Sequence, residues 1–174
     1  MARGDALSLQ RETYDLWRAF VQRSWDVVDP GLLELCRRRI ADPHGSVPAE
    51  SELERAALDW VDQYVIDQNG ITPEQNARLG ELLAPRAVND FAFAVYAHDA
   101  DRRAHALVGD GGASEGGGEV ELDPDAELFP LPVDPRFGEL LGSFGNEAVR
   151  RLQVDEVTSE LCRLRNAIHQ QCHF

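Results

Sequence analysis

The residues of this chain best suited to chemistry are a glutamate and a cysteine in the closing stretch ELCRLRNAIHQQCHF, Glu160 to Phe174. Helical periodicity across the stretch gathers Val157, Leu161, Leu164 and Ile168 on one face and puts Glu160 at its edge. A carboxylate held there is partly desolvated, which raises its pKa and suits it to pass a proton. Cys172 falls just past the end of this helix, where the positive end of a following helix dipole makes a thiol more acidic. Glutamate and thiolate together give a nucleophile with a proton donor beside it.

An earlier segment, ELCRRRIADPHGS from Glu34 to Ser46, opens in the same way and finishes in serine. Val28 to Ser46 lies over Val154 to Cys172 without a gap, and eight of the nineteen pairs are identical. The identities include Asp29/Asp155, Glu34/Glu160, Cys36/Cys162, Arg37/Arg163 and Arg39/Arg165. Two helices that share only amphipathicity would match at apolar positions, so the polar identities favour an internal duplication. In the first copy Arg38 stands four residues after Glu34, where the second copy has Leu164. That spacing predicts an ion pair on a solvated face, and Ser46 leaves the copy without its thiol, so it reads as degenerate and structural.

A glutamate inside ELxRLRNA followed, after eleven intervening residues, by a cysteine resembles the opening of the active-site motif of the carboxymuconolactone decarboxylase and AhpD-like alkylhydroperoxidase family. The stretch from Ser51 to Gly109 is similar to the part of that family that follows the cysteine motif. The resemblance implies an all-α, AhpD-like antiparallel helical array, with a degenerate domain over residues 1–108 and the truncated start of a second copy over 135–174. It also implies thiol-dependent hydroperoxide reduction, with Glu160 and Cys172 as the catalytic pair, a small hydroperoxide as substrate and a thiol as reductant. The family pattern continues C-x-x-C and then a histidine, whereas Cys172 is followed here only by His173 and Phe174, so the motif is cut after its first cysteine. Neither a metal nor a cofactor is implied, and a homo-oligomer is. The competing reading is a non-catalytic helical oligomerisation or scaffold domain supporting a catalytic half outside this chain, with Trp17, Phe20, Trp25 and Trp60 as its contact surface.

The elements that must position these residues are helices, because apolar residues recur at three- and four-residue steps and no run alternates as a half-buried strand would. A first helix is expected over Leu9 to Val27. Asp29-Pro30 reads as an N-cap followed by proline at the first helical position, opening a helix to about Ala41. Another should run from about Ala49 to Gln68 with Leu53, Ala56, Ala57, Trp60, Val61 and Tyr64 as its stripe. Asn69-Gly70 stops it, Thr72-Pro73-Glu74-Gln75 starts the next with a capping box, and Pro85 opens a long helix to about Val108. Composition changes at Gly109: residues 109–134 are rich in glycine, proline and acid and read as a linker. Phe129 to Pro132 looks like an extended strap, and helical periodicity returns from about Phe137.

Seventeen basic against thirty-one acidic side chains give a formal net charge of -14. That field repels phosphate backbones and anionic bilayers, which argues against nucleic acid and membrane partners. Charges interrupt the N-terminal residues where a signal peptide needs an apolar run, so the expected compartment is the cytoplasm. There Cys36, Cys162 and Cys172 should be thiols. Cys36 and Cys162 project away from their glutamates and read as packing elements. His98, Asp99, Asp101 and His105 sit together in sequence but lack a known ligand spacing, and Arg102 and Arg103 oppose a cation, so they read as a solvated helix face. The glycines after residue 108 lack a P-loop lysine and follow no strand.

Overall fold

Local capping decides where several of the helices begin. The Asp29 carboxylate accepts from the Leu32 backbone N–H at 2.9 Å, and Pro30 at the first helical position has no N–H to satisfy. At Ser51 and Thr72, reciprocal capping boxes with Glu54 and Gln75 pair the N-cap side chain with the third helical N–H and return a bond to the N-cap N–H. In the computed structural model the described residues are 11–84, 87–108, 122 and 134–151, together with Val157, Thr158, Leu161, Leu164 and Arg165. Among them the fold is all-α: α1 (Arg11–Val27), α2 (Pro30–Ala41), α3 (Glu52–Ile66), α4 (Pro73–Leu83), α5 (Ala87–Val108) and α6 (Pro135–Arg151), with a 3-10 turn at Gln68–Gly70 between α3 and α4.

The helix expected from about Ala49 starts at Glu52, because Ser51 takes the capping role and holds the preceding residues out of the helix. It ends at Ile66 rather than Gln68, where Asp67 turns extended and its carboxylate accepts from Asn69. Asp134 performs the same service at α6, accepting from the Phe137 N–H at 3.0 Å.

The core forms where α1 meets α5 and α6 and where α2 meets α3 and α5. Phe20, Leu33, Val61, Leu79, Phe91 and Val95 are fully buried. α6 is part of this core although a glycine-rich stretch separates it from α5. Phe137 is 1% exposed and stacks on Phe20 at 4.5 Å with 15° between the ring planes, while Phe144 lies 4.9 Å from Trp17. As the contacts climb α6 they descend α1, so the two helices run antiparallel. Arg23 of α1 forks onto both Asp134 carboxylate oxygens at 3.1 Å, and the Asp134 N–H donates to Asp90 of α5 at 2.8 Å. The N-terminus of α6 is thereby tied to two other helices. Leu122, within the sequence expected to be a linker, packs against the same core. The strap expected at Phe129 to Pro132 lies outside the described residues.

The tryptophans expected to supply a contact surface are largely interior. Trp17 and Trp60 are 9% and 4% exposed, Phe20 is fully buried and Trp25 is partly buried against the core. Each ring of the first two also anchors its polar edge, Trp17 Nε1 donating to Asp101 at 3.0 Å and Trp60 Nε1 to Asn76 at 2.9 Å. A buried indole N–H needs such a partner, and both partners come from other helices.

Candidate functional site

The first copy of the repeat lies on α2. Its buried face consists of Leu32, Leu33, Cys36 and Ile40. Cys36 is fully buried, and loss of water pushes its thiol up to about 12 from an ordinary 9.0. A thiol in that position packs as a small apolar side chain and is not a nucleophile at neutral pH. Glu34 faces the other way, 43% exposed, and accepts two hydrogen bonds from Arg37 at 2.7 and 2.8 Å. Arg37, through that bond, holds the carboxyl below its usual range. The ion pair therefore forms at the i,i+3 spacing rather than with Arg38, which is exposed. Ser46 is exposed beyond the end of α2.

In the second copy the described residues are Val157, Thr158, Leu161, Leu164 and Arg165, all helical and exposed. Val157, Leu161 and Leu164 are 68%, 60% and 51% exposed. Glu160, Cys162 and Cys172 lie outside the described residues. The positions that α2 buries correspond here to Thr158, Ser159, Cys162 and Asn166, three of them polar. The two segments thus share letters, but the residues aligned with the buried positions of α2 are mostly polar.

Two polar clusters stand elsewhere, both on α5 and neither solvated as expected. His98 is 7% exposed and packs edge-on to Trp25 at 4.7 Å, with Ser24 Oγ 2.9 Å from its Nε2. The Ser24 hydroxyl also donates to the Val21 carbonyl at 2.6 Å. One hydroxyl has one proton, so Ser24 accepts from His98 Nε2–H, and the imidazole acts as donor rather than as base. The pair is consequently a satisfied polar contact, not an activated serine. Burial lowers the His98 pKa from its ordinary 6.5, against the pull of nearby Asp101.

Asp99, 4% exposed, is held by Arg103 at 2.8 Å and Arg102 at 3.4 Å. It borders a cleft of about 750 Å³ between the end of α3 and α5, lined also by Tyr64, Asp67, Asn69 and Tyr96. Burial drives the Tyr64 hydroxyl up to about 12 and raises that of Tyr96, so neither phenol ionises near neutrality. A second cleft of about 980 Å³ lies among α3, α4 and α5 over Trp60, Ile71, Gly80 and Val88. No cysteine lines either cleft. Among the described residues no three His, Cys, Asp or Glu side chains are grouped to hold a metal ion, and no helix is long and apolar enough to cross a membrane.

The burial of His98 escaped the sequence reading because its partner is remote, whereas Asp99 has its partners Arg102 and Arg103 three and four positions on, charges that read in sequence as a solvated face. Ser24 is 74 positions from His98, and nothing local marks it as a partner. The available signal was the apolar run FAFAV just before, which continues onto the face that carries His98. No protein-family model matches the chain, and no curated protein or solved structure is significantly similar to it.

Proposed function

We propose that the protein is an AhpD-like, peroxidase-related protein in which α1–α6 act as a non-catalytic helical scaffold and thiol-dependent hydroperoxide reduction is confined to Glu160 and Cys172. The observation that carries this reading is the contrast between the two copies. The first has its cysteine sealed in the core with a thiol pushed up to about 12 and its glutamate tied to Arg37, so it supplies neither nucleophile nor acid. The second keeps the glutamate and places a cysteine where the first has Ser46.

In this reaction the Cys172 thiolate attacks the terminal peroxide oxygen and the O–O bond breaks. Its electrons leave on the alkoxide, which takes a proton from Glu160. The product is an alcohol and a cysteine sulfenic acid. An external thiol condenses with the sulfenic acid, releasing water, and a second thiol exchanges the mixed disulfide back to the free cysteine. In this scheme the external thiol resolves the sulfenic acid.

The test is consumption of cumene hydroperoxide with excess dithiothreitol, comparing wild type with Cys172→Ser and Cys36→Ala. Turnover lost in the first variant and kept in the second supports the assignment; equal turnover in wild type and Cys172→Ser refutes it. A scaffold without catalysis is the second reading, favoured by the exposed apolar side chains at Val157, Leu161 and Leu164.

A further inference from the structure

The cleft of about 750 Å³ between the end of α3 and α5 falls within the size range of small-molecule sites, about 300–1,000 Å³. Part of its lining is the turn that follows α3, which is tied down by three bonds to one residue. The Asp67 carboxylate accepts from the Asn69 N–H at 3.0 Å, and the Asp67 carbonyl accepts from Gln63 Nε2 and the Gly70 N–H, both at 2.9 Å. Gln68, within this turn, lines the cleft. From α5 come Tyr96, Asp99 and Arg103, and from the end of α3 comes Tyr64, its ring stacked on Trp60 at 5.5 Å.

The charges here are already matched. Asp99 holds a guanidinium on each oxygen, Arg102 on Oδ1 at 3.4 Å and Arg103 on Oδ2 at 2.8 Å. A charged ligand would have to displace one of them from a carboxylate only 4% exposed, and breaking such a pair is costly. What the cleft retains is neutral hydrogen-bonding capacity. A carboxylate offers about four lone-pair sites and a guanidinium five N–H groups, so the ion pairs leave Asp99 and Arg103 able to bond further. Tyr64 and Tyr96 keep their protons near neutrality, and neither hydroxyl is hydrogen-bonded among the described residues, so each has an O–H to donate. Carboxylate, carboxamide and guanidinium are planar groups whose paired atoms can meet two adjacent hydroxyls at once. The Tyr96 ring, 40% exposed, adds an apolar face for the C–H side of such a ligand. The protein's net charge of -14 further disfavours anions. We infer that this cleft binds a neutral polyhydroxylated ligand of the sugar class, whose adjacent hydroxyls meet Asp99, Arg103, Gln68 and the two phenols. The site is independent of the peroxide chemistry proposed above, and its test reads binding rather than turnover.

The experiment follows backbone amide shifts of the ¹⁵N-labelled full chain during titration with maltose, trehalose and myo-inositol as neutral probes. Glycine, tetramethylammonium and inorganic phosphate serve as zwitterionic, cationic and anionic probes. At least one neutral probe is expected to shift the amides of Gln68, Asn69 and Ala100 saturably. Tyr64→Phe and Tyr96→Phe should each weaken that binding about three- to tenfold, the loss of one hydrogen bond, and the double variant should abolish it. Both substitutions keep the ring and its packing on Trp60 or Trp17, so a loss of binding is not a loss of fold. Binding that the double variant leaves unchanged overturns the inference, as does the absence of saturable shifts with every probe. Tighter binding of glycine, tetramethylammonium or phosphate than of all three neutral probes overturns the ligand class.

Discussion

Phe137→Ala tests whether α6 belongs to the core or hangs beside it. The ring is 1% exposed and lies 4.5 Å from Phe20, itself fully buried, so its removal leaves a ring-sized void between α1 and α6. Truncation of a buried phenylalanine costs about 3–5 kcal/mol, from lost transfer free energy plus the residual cavity. The stacked geometry places this site toward the upper part of that range. In a chain of 174 residues about 1 kcal/mol moves the melting temperature by roughly 2–4 °C, so the expected fall is about 6–20 °C. Gly145→Ala is the matched control on the same helix. A Cβ at Gly145 meets nothing within 4 Å, and replacing an exposed helical glycine by alanine gains about 0.5–1 kcal/mol.

The assay is urea denaturation followed by both tryptophan fluorescence and far-ultraviolet circular dichroism. Trp17 sits against Phe144 and reports on α6 docking, whereas the dichroism reports on all helices. The two substitutions should shift the same single transition in opposite directions, with both probes coincident. An unchanged main transition in Phe137→Ala, with α6 lost in a separate early step, would show that α6 is an independent unit and refute the shared core.

Three further outcomes follow from the buried groups. Cys36 should resist alkylation in the native state: a thiol at about 12 in place of 9.0 carries about a thousandfold less thiolate at pH 8, before access is considered. Measured by iodoacetamide labelling in a Cys162→Ser/Cys172→Ser background, labelling as fast in buffer as in urea would contradict the burial. Ser24→Ala should cost about 1–3 kcal/mol by stranding the His98 Nε2–H. His98 itself should make stability pH-dependent. Its folded pKa is depressed below 6.5, so the unfolded chain binds the proton first, and the contribution is whole above 6.5 and lost as pH falls toward the folded value. Urea midpoints at pH 7.5 and 5.5 should therefore converge in His98→Gln relative to wild type; an identical pH dependence in both would remove His98 from the account.

The helix starts at Asp29 and Thr72 were readable because a cap is a contact between residues three apart, and sequence displays such neighbours directly. The reach of α6 was not. A glycine-rich acidic stretch states that the chain is unencumbered there, and says nothing about where the next helix docks. That destination depends on Arg23, Asp90 and Phe20, each more than forty positions from its α6 partner. The same reasoning applies to Trp17 and Trp60, whose size suggested a surface but whose N–H groups found acceptors on other helices. For the expected pair Glu160 and Cys172, residue type and spacing carried the whole reading, and both lie outside the described residues.

The proposed acid role makes a demand that α2 does not meet. Proton donation asks for a carboxyl pKa near the working pH, whereas Arg37 holds the Glu34 carboxyl below its usual range through two short bonds on the same helix. In the sequence Arg163 stands to Glu160 as Arg37 stands to Glu34. The proposed chemistry therefore requires Glu160 to escape the pairing with Arg163 that its counterpart makes with Arg37.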